Sequence, residues 1–210
     1  LLWNGHGTVL DAQGAELGRV HWRLSRRALF GGIHLDLDAD GAHGSFSGRM
    51  QRLAADQVDW QDVKLRLDAA TLAALAPGLG WPLGGVVDVK IDRARLQGNW
   101  PMELDAQARW LDAAVTTADG RLALGRWRLE ANGQDGAIRA KLEDAGGPLQ
   151  VAGRLQLSPL GWHVAATLTP RTGDPALRRW LATLAPPGAD GAVHLERAGG
   201  LGAAATMEPR

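Results

Sequence analysis

The residues best suited to chemistry lie in one stretch, GIHLDLDAD (32–40), where His34, Asp36, Asp38 and Asp40 alternate with Ile33, Leu35, Leu37 and Ala39. Residues two apart in an extended strand project from the same face, so an imidazole and three carboxylates form one row of metal-binding groups. Successive members of such a row stand about 6.6 Å apart. Two neighbours could therefore grip a Ca²⁺ or Zn²⁺ ion only if another strand supplied further ligands. The spacing favours the plainer reading, a wet sheet face rich in carboxylates.

The other motifs point away from catalysis. Histidines 6, 21, 34, 43, 163 and 194 include no i, i+4 pair on a predicted helix and no His-Glu-x-x-His, which argues against a zinc hydrolase. GSFSG (44–48) has the wrong spacing for a nucleophile elbow, and its Ser45 and Ser47 fall inside an alternating run. The glycines of LGGVVDVKI and GPLQVAGRLQL flank strands, with no helix and no Gly-Lys-Ser/Thr after them; they are turn glycines rather than a phosphate cradle. Glu103 and Asp105 share a wet face with no apolar pocket to raise a pKa, so glycosidase-type acid/base work has no support. No catalytic, cofactor-binding or metal residue is assigned, no cofactor is expected, and an enzyme is not expected.

Nine tryptophans invite a stacking platform for sugars or single-stranded nucleic acid. Trp22, Trp110, Trp127, Trp162 and Trp180 fall on the apolar phase of their elements and read as core. Trp3, Trp60, Trp81 and Trp100 lie near turns and are the surface candidates. Nucleic-acid stacking also needs a basic groove, and the only arginine doublets are in SRRAL (25–29) and LRRWL (177–181).

The elements that would carry these residues are mostly strands. Val63, Leu65 and Leu67 alternate with charged residues, as do Val87, Val89 and Ile91, and Met102, Leu104, Ala106, Ala108 and Trp110 alternate with polar ones. Such period-two patterns with one wet face are typical of antiparallel sheets. After Ile91 the phase breaks, with Arg93 and Arg95 in the apolar register, which predicts a bulge or the exit of the strand from the core. Gly146 to Pro170 reads as a hairpin about Ser-Pro-Leu-Gly, with Trp162 and His163 on opposite faces. Two segments are predicted helical. Asp174 caps a helix opened by Pro175, with Leu177, Trp180, Leu181 and Leu184 on one side and Pro186-Pro187 as the stop. The second runs from Asp68 to Gly78, with Leu72 and Leu75 on one side.

At 210 residues the chain is long enough for a sizeable core. Its 23 Lys+Arg balance 23 Asp+Glu, so the field that draws a protein onto nucleic acid or an anionic bilayer is missing. No nucleic-acid partner is expected. The absence of cysteine excludes disulfides and thiolate catalysis and permits an oxidising compartment. No uncharged run is long enough to cross a bilayer as a helix. Because the numbering opens on Leu1 rather than methionine, a preceding segment is expected, with any membrane anchor in it.

A shift of 105 residues lays HWRL (21–24) on RWRL (126–129), Leu37 on Leu142 and GRMQ (48–51) on GRLQ (153–156). The shift drifts to 109 where LAALAP (72–77) meets LATLAP (181–186), and returns to 104 where VKIDRA (89–94) meets VHLERA (193–198). The fold expected is therefore mainly β: one large curved antiparallel sheet, an open or incomplete barrel. It would comprise two similar halves, about 1–100 and 101–210, each with one short helix, in a single domain spanning 1–210.

Several stretches resemble the periplasmic domain of type II (general) secretion pathway protein N: LLWNGHGTVL (1–10), HWRLSRRALFGG (21–32), LAPGLGWPLGGVVDVKIDRARL (75–96), and LALGRWRLEANG (122–133) followed by GGPLQVAGRLQL (146–157). The resemblance lies in their order along most of the chain. It implies an accessory component of the machine that exports folded proteins across the outer membrane of a Gram-negative bacterium. The protein would be a single-pass inner-membrane protein with this domain in the periplasm, touching the membrane only through its N-terminal anchor. Its partners would be the secretin or the inner-membrane platform subunits, and the family brings no catalytic motif to transfer. The alternative reading is a periplasmic β-groove protein that binds or shields lipid on the apolar face of Val151, Leu155, Leu157, Trp162, Val164 and Leu168. It gains if that face is an open trough and fails if helices cover it.

Overall fold

The computed structural model describes residues 3–10, 16–25, 32–71 and 81–200. Twelve strands lie in sequence order: β1 (Asn4–Leu10), β2 (Glu16–Leu24), β3 (His34–Gly41), β4 (Gly44–Arg52), β5 (Gln57–Asp68), β6 (Leu83–Gln97), β7 (Trp100–Thr117), β8 (Gly120–Gln134), β9 (Ala137–Asp144), β10 (Leu149–Ser158), β11 (Gly161–Pro170) and β12 (Val193–Gly200). Each pairs antiparallel with its sequence neighbours, giving one twelve-stranded sheet, β1 to β12 in order, that is not closed into a barrel. At about 4.8 Å per strand, the two edges are some 50 Å apart when measured along the sheet.

Residues opposite each other in an antiparallel pair share a face, so alternation written in the sequence becomes rows running across the sheet. One apolar row passes through Trp22, Leu37, Gly48, then Val63, Ile91, Ala106 and Ala131, and on to Ala140, Leu155, Val164 and Arg197. The expected strand faces through Leu35 and Leu37, Val63 to Leu67, Val87 to Ile91 and Leu104 to Trp110 all lie on this side. The opposite face carries most of the charges, with Asp144 and Arg197 among the exceptions.

Bulges keep these rows in phase. Between Ser47 and Arg49 of β4 stands one residue, but β5 spends Asp62 and Val63 there, and Asp62 takes φ +50°. Aspartate is one of the few side chains that tolerates this left-handed conformation. β6 repeats the insertion at Asp92, against β7, so Arg93 and Arg95 leave the apolar register and turn to the polar face opposite Asp105 and Glu103. Of the two outcomes predicted for that phase break, a bulge and a strand leaving the core, the structure has the bulge.

A single sheet leaves one apolar face to be covered, and one helix covers part of it. In α1 (Pro175–Leu184) Asp174 accepts from the Ala176 N–H, Pro175 opens the first turn, and Leu177, Trp180 and Leu181 are buried. They pack on Leu124, Leu149, Val151, Leu168 and Val193 of β8, β10, β11 and β12. The other predicted helix is helical at 69–71, where Ala69 is fully buried; Leu72, Leu75 and the rest of 72–80 lie outside the described residues, as do 1–2 and 26–31 of the motifs quoted above.

The two halves share their order: the sixth strand of each, β6 and β12, is reached through a helical segment that follows the fifth. Leu37 faces Gly48 as Leu142 faces Gly153, in the same register 105 residues on. The preceding pairing is slipped, for Trp22 faces Leu37 whereas Leu142 faces Leu129.

Candidate functional site

The row of His34, Asp36, Asp38 and Asp40 lies on the polar face of β3, and each member meets a different neighbour. His34 Nδ1 is 3.3 Å from the Gly32 carbonyl, and Asp36 stands 3.9 Å from Arg23. Asp38 is flanked by His21 and Ser47, and Asp40 by Arg19 and Ser45. Among the described residues no three His, Asp or Glu side chains converge as metal ligands would.

Asp38 and Asp40 form one wall of a depression of about 520 Å³, with Lys64, Arg66, Asp88 and Lys90 opposite and Ser45 and Ser47 on the floor. Short serines between long charged side chains create it. Arg66 Nη1 donates to Asp88 at 2.8 Å, and Lys90 donates to Asp92 at 2.5 Å, so two of its cations are already neutralised. Ser47 faces Asp38, and Asp38 faces His21. Activating a hydroxyl requires the imidazole between acid and alcohol, and here the acid stands in the middle. The arrangement suits polar contact with another surface rather than nucleophilic attack.

A second cluster escapes a reading by alternation. Asp59 sits on the polar phase of β5 yet is only 3% exposed. It accepts from Gln61 Nε2 at 2.8 Å and from Arg93 Nε at 3.3 Å, and Arg95 Nε lies 3.7 Å away. Arg95 also donates to Glu103 at 2.7 Å. This is a network spanning β5, β6 and β7, assembled by the bulges at Asp62 and Asp92. Its signal in the sequence was the phase break that brought Arg93 and Arg95 into line.

A third acid fastens the covered corner. Asp144, at the end of β9, accepts from the backbone N–H groups of Gly146 and Val151 and pairs with Arg171 at 2.8 Å. Burial works to raise its pKa, but the bond from Arg171 and the two backbone N–H groups outweigh that and hold the carboxyl below its ordinary value. It ties the β9–β10 turn to the segment leading into α1.

The tryptophans divide differently from expectation. Trp180 is buried, and Trp81, read as a surface candidate, packs edge-on against it. Trp60, also read as surface, stacks edge-on with Phe46, and Trp100 donates to the Gly136 carbonyl at 2.9 Å. Trp3 is half-buried just before β1. Trp110 and Trp127 face each other edge to face, and Trp22 is half-buried. Trp162, read as core, is 42% exposed, because it lies near the edge of the sheet beyond the reach of α1. Burial on this face follows the helix, not the phase alone. His163 does point to the other side, where it bonds Glu196 at 2.9 Å.

The described residues therefore present charged rows, a partly open apolar face and two outermost strands, β1 and β12, with no further strand beyond them. No helix among them is long and apolar enough to cross a membrane. Comparison with curated proteins and with solved structures returns no match. A family model described as type II secretion system (T2SS), protein N matches residues 2–196. With nearly the whole described sheet inside that match, the chain belongs to the type II secretion system protein N family.

Proposed function

We propose that this chain is a periplasmic interaction and scaffold module of the type II secretion system, held at the inner membrane by an N-terminal anchor and docking secretin or inner-membrane platform subunits. The observation that carries the proposal is the family match over 2–196, a family of secretion accessory components rather than enzymes. A broad single sheet with mixed charge on one face is compatible with it, since such surfaces engage partners through faces and edges. Affinity capture of the full-length protein from envelope extracts tests it. Secretin or platform subunits should be retained, and deletion of the gene should leave exported proteins in the periplasm. Wild-type levels of export in the deletion strain, with no secretion subunit captured, would refute the proposal.

A second reading, a lipid-shielding face, is favoured by one observation. α1 buries Val151 and Leu168, but Leu155, Leu157 and Val164 are half-buried and Trp162 is exposed. Mass spectrometry of an organic extract of the purified protein decides it: stoichiometric phospholipid supports a lipid-shielding role, and a lipid-free extract from protein with active export excludes it.

A further inference from the structure

The two edges of the sheet are finished in different ways. At both, a glycine of the edge strand lies under a tryptophan of the next strand in: Gly5 of β1 under Trp22, and Gly199 of β12 under Trp162. At Gly5 a Cβ would run into the indole, so the tryptophan supplies the apolar cover that the glycine cannot. There the likeness ends. β12 carries Arg197 in the apolar row, opposite Val164 and exposed. A charge pointing inward on an edge strand is a known device against strand addition, because a new strand would have to bury it. β1 has no such guard: its apolar row there is Gly5 and Gly7, and Asn4, His6 and Thr8 project from the polar face.

Backbone bonding defines what could complete β1. The Leu24 N–H donates to the Trp3 carbonyl at 2.6 Å. Antiparallel pairs alternate between bonded and non-bonded, so Trp3, Gly5 and Gly7 bond to β2, while the N–H and C=O groups of Asn4, His6 and Thr8 point to the outer edge. Among the described residues no strand lies beyond them. We propose that the outer edge of β1 accepts an extended strand from a partner polypeptide, with large apolar residues beside Gly5 and Gly7 and polar residues between. Outward donors and acceptors recurring every two residues, about 6.8 Å apart, match only an extended main chain. Among the described residues Gly7 leaves the apolar side open beside it, and the Trp22 indole that covers Gly5 gives the partner's side chains an apolar surface to pack on. A second copy of β1 fits poorly, since a two-fold pairing centred on His6 sets Gly5 against Gly7 and imidazole against imidazole. β12 of a second copy would have to bury Arg197.

This surface rests on the interaction reading above but fails separately from it, because the test uses a synthetic strand and no secretion subunit. The probe is a capped nonapeptide alternating threonine and leucine with a central glutamate. Added to the protein, it should slow hydrogen exchange at the amides of Asn4, His6 and Thr8. His6→Pro removes an outward N–H and leaves the β1–β2 bonds in place, so affinity should fall about tenfold, the upper range for one backbone hydrogen bond. Gly7→Lys copies the guard of β12, and among the described residues its Cβ would meet Trp22 Cζ3 at 3.7 Å, an ordinary contact; it should abolish binding. Retained protection of the Val20 and Trp22 amides confirms that each variant keeps β1 in place. Peptide that protects β12 instead, or binds both variants as well as the wild type, overturns the proposal. Arg197→Val gives a further check: self-association of that variant should disappear when Gly7→Lys is added, and association that survives Gly7→Lys places the joint elsewhere and overturns it.

Discussion

Where α1 lies on the sheet, Leu149, Leu177, Leu181 and Val193 are at most 1% exposed. On the same face of β3 to β5, Leu37, Met50, Trp60 and Leu65 all keep part of their surface in water. The strands of the two regions follow the same alternation, and β3–β4 and β9–β10 share a register. The difference comes from the cover: up to residue 100, Val63, Ala69 and Ala94 are the hydrophobic residues that are fully buried among those described. A row of apolar side chains is thus a capacity for a core, and a second layer turns it into one.

The largest effect should expose that contrast directly. Leu181→Ala removes a side chain with no room to spare and should cost about 3 kcal/mol, whereas Leu37→Ala, already partly in water, should cost about 1 kcal/mol. Urea unfolding of the two variants measures the gap, and equal costs would mean that the N-terminal half is covered as well. Next comes Asp59→Ala, which strands Arg93 and Arg95 beside an empty site. A loss of about 2 kcal/mol is expected, less than the roughly 3–5 kcal/mol of a fully buried pair because both arginines keep solvent contact. It would show that the N-terminal half relies on a polar network where the C-terminal half relies on α1.

The smallest of the three concerns pH. The Asp144 carboxyl titrates below its ordinary value of 3.8 in the folded chain. Its stabilising share is therefore complete above that value and is lost as pH falls through the lowered folded pKa. Asp144→Asn should remove about 1 kcal/mol at neutral pH and flatten the acid limb of the stability profile. An unchanged acid limb would show that other carboxylates govern acid unfolding.

Much of this architecture was legible in single strands. Period-two alternation placed the β3, β5, β6 and β7 faces, and Asp174, Pro175 and Pro186 marked the limits of α1, because those signals act over a few residues. The misreadings share one cause. Trp81 packs on Trp180, and Trp162 is left exposed, through placements decided by elements far away in the chain. Asp59 reads as a wet-face residue until bulges in two strands turn Arg93 and Arg95 toward it. The aspartates of β3 are plain in the sequence, but not their neighbours, since the serines and lysine facing them come from other strands. For the same reason the contrast between the two edges lay hidden: Arg197 continues the apolar row only once its opposition to Val164 is known.

The order of the strands has a consequence for how the chain is made. Every strand lies against the one before it, so nearly all pairing is between segments close in sequence, and little loop-closure entropy must be overcome to form it. Such a sheet can be assembled progressively, each new hairpin zipping onto the growing margin as the polypeptide emerges, without waiting for its far end. The closing steps differ from this pattern, because α1 also settles against residues laid down much earlier, Asp119 and Trp81 among them. Assembly should therefore be fast and local at first, with consolidation of the covered corner last.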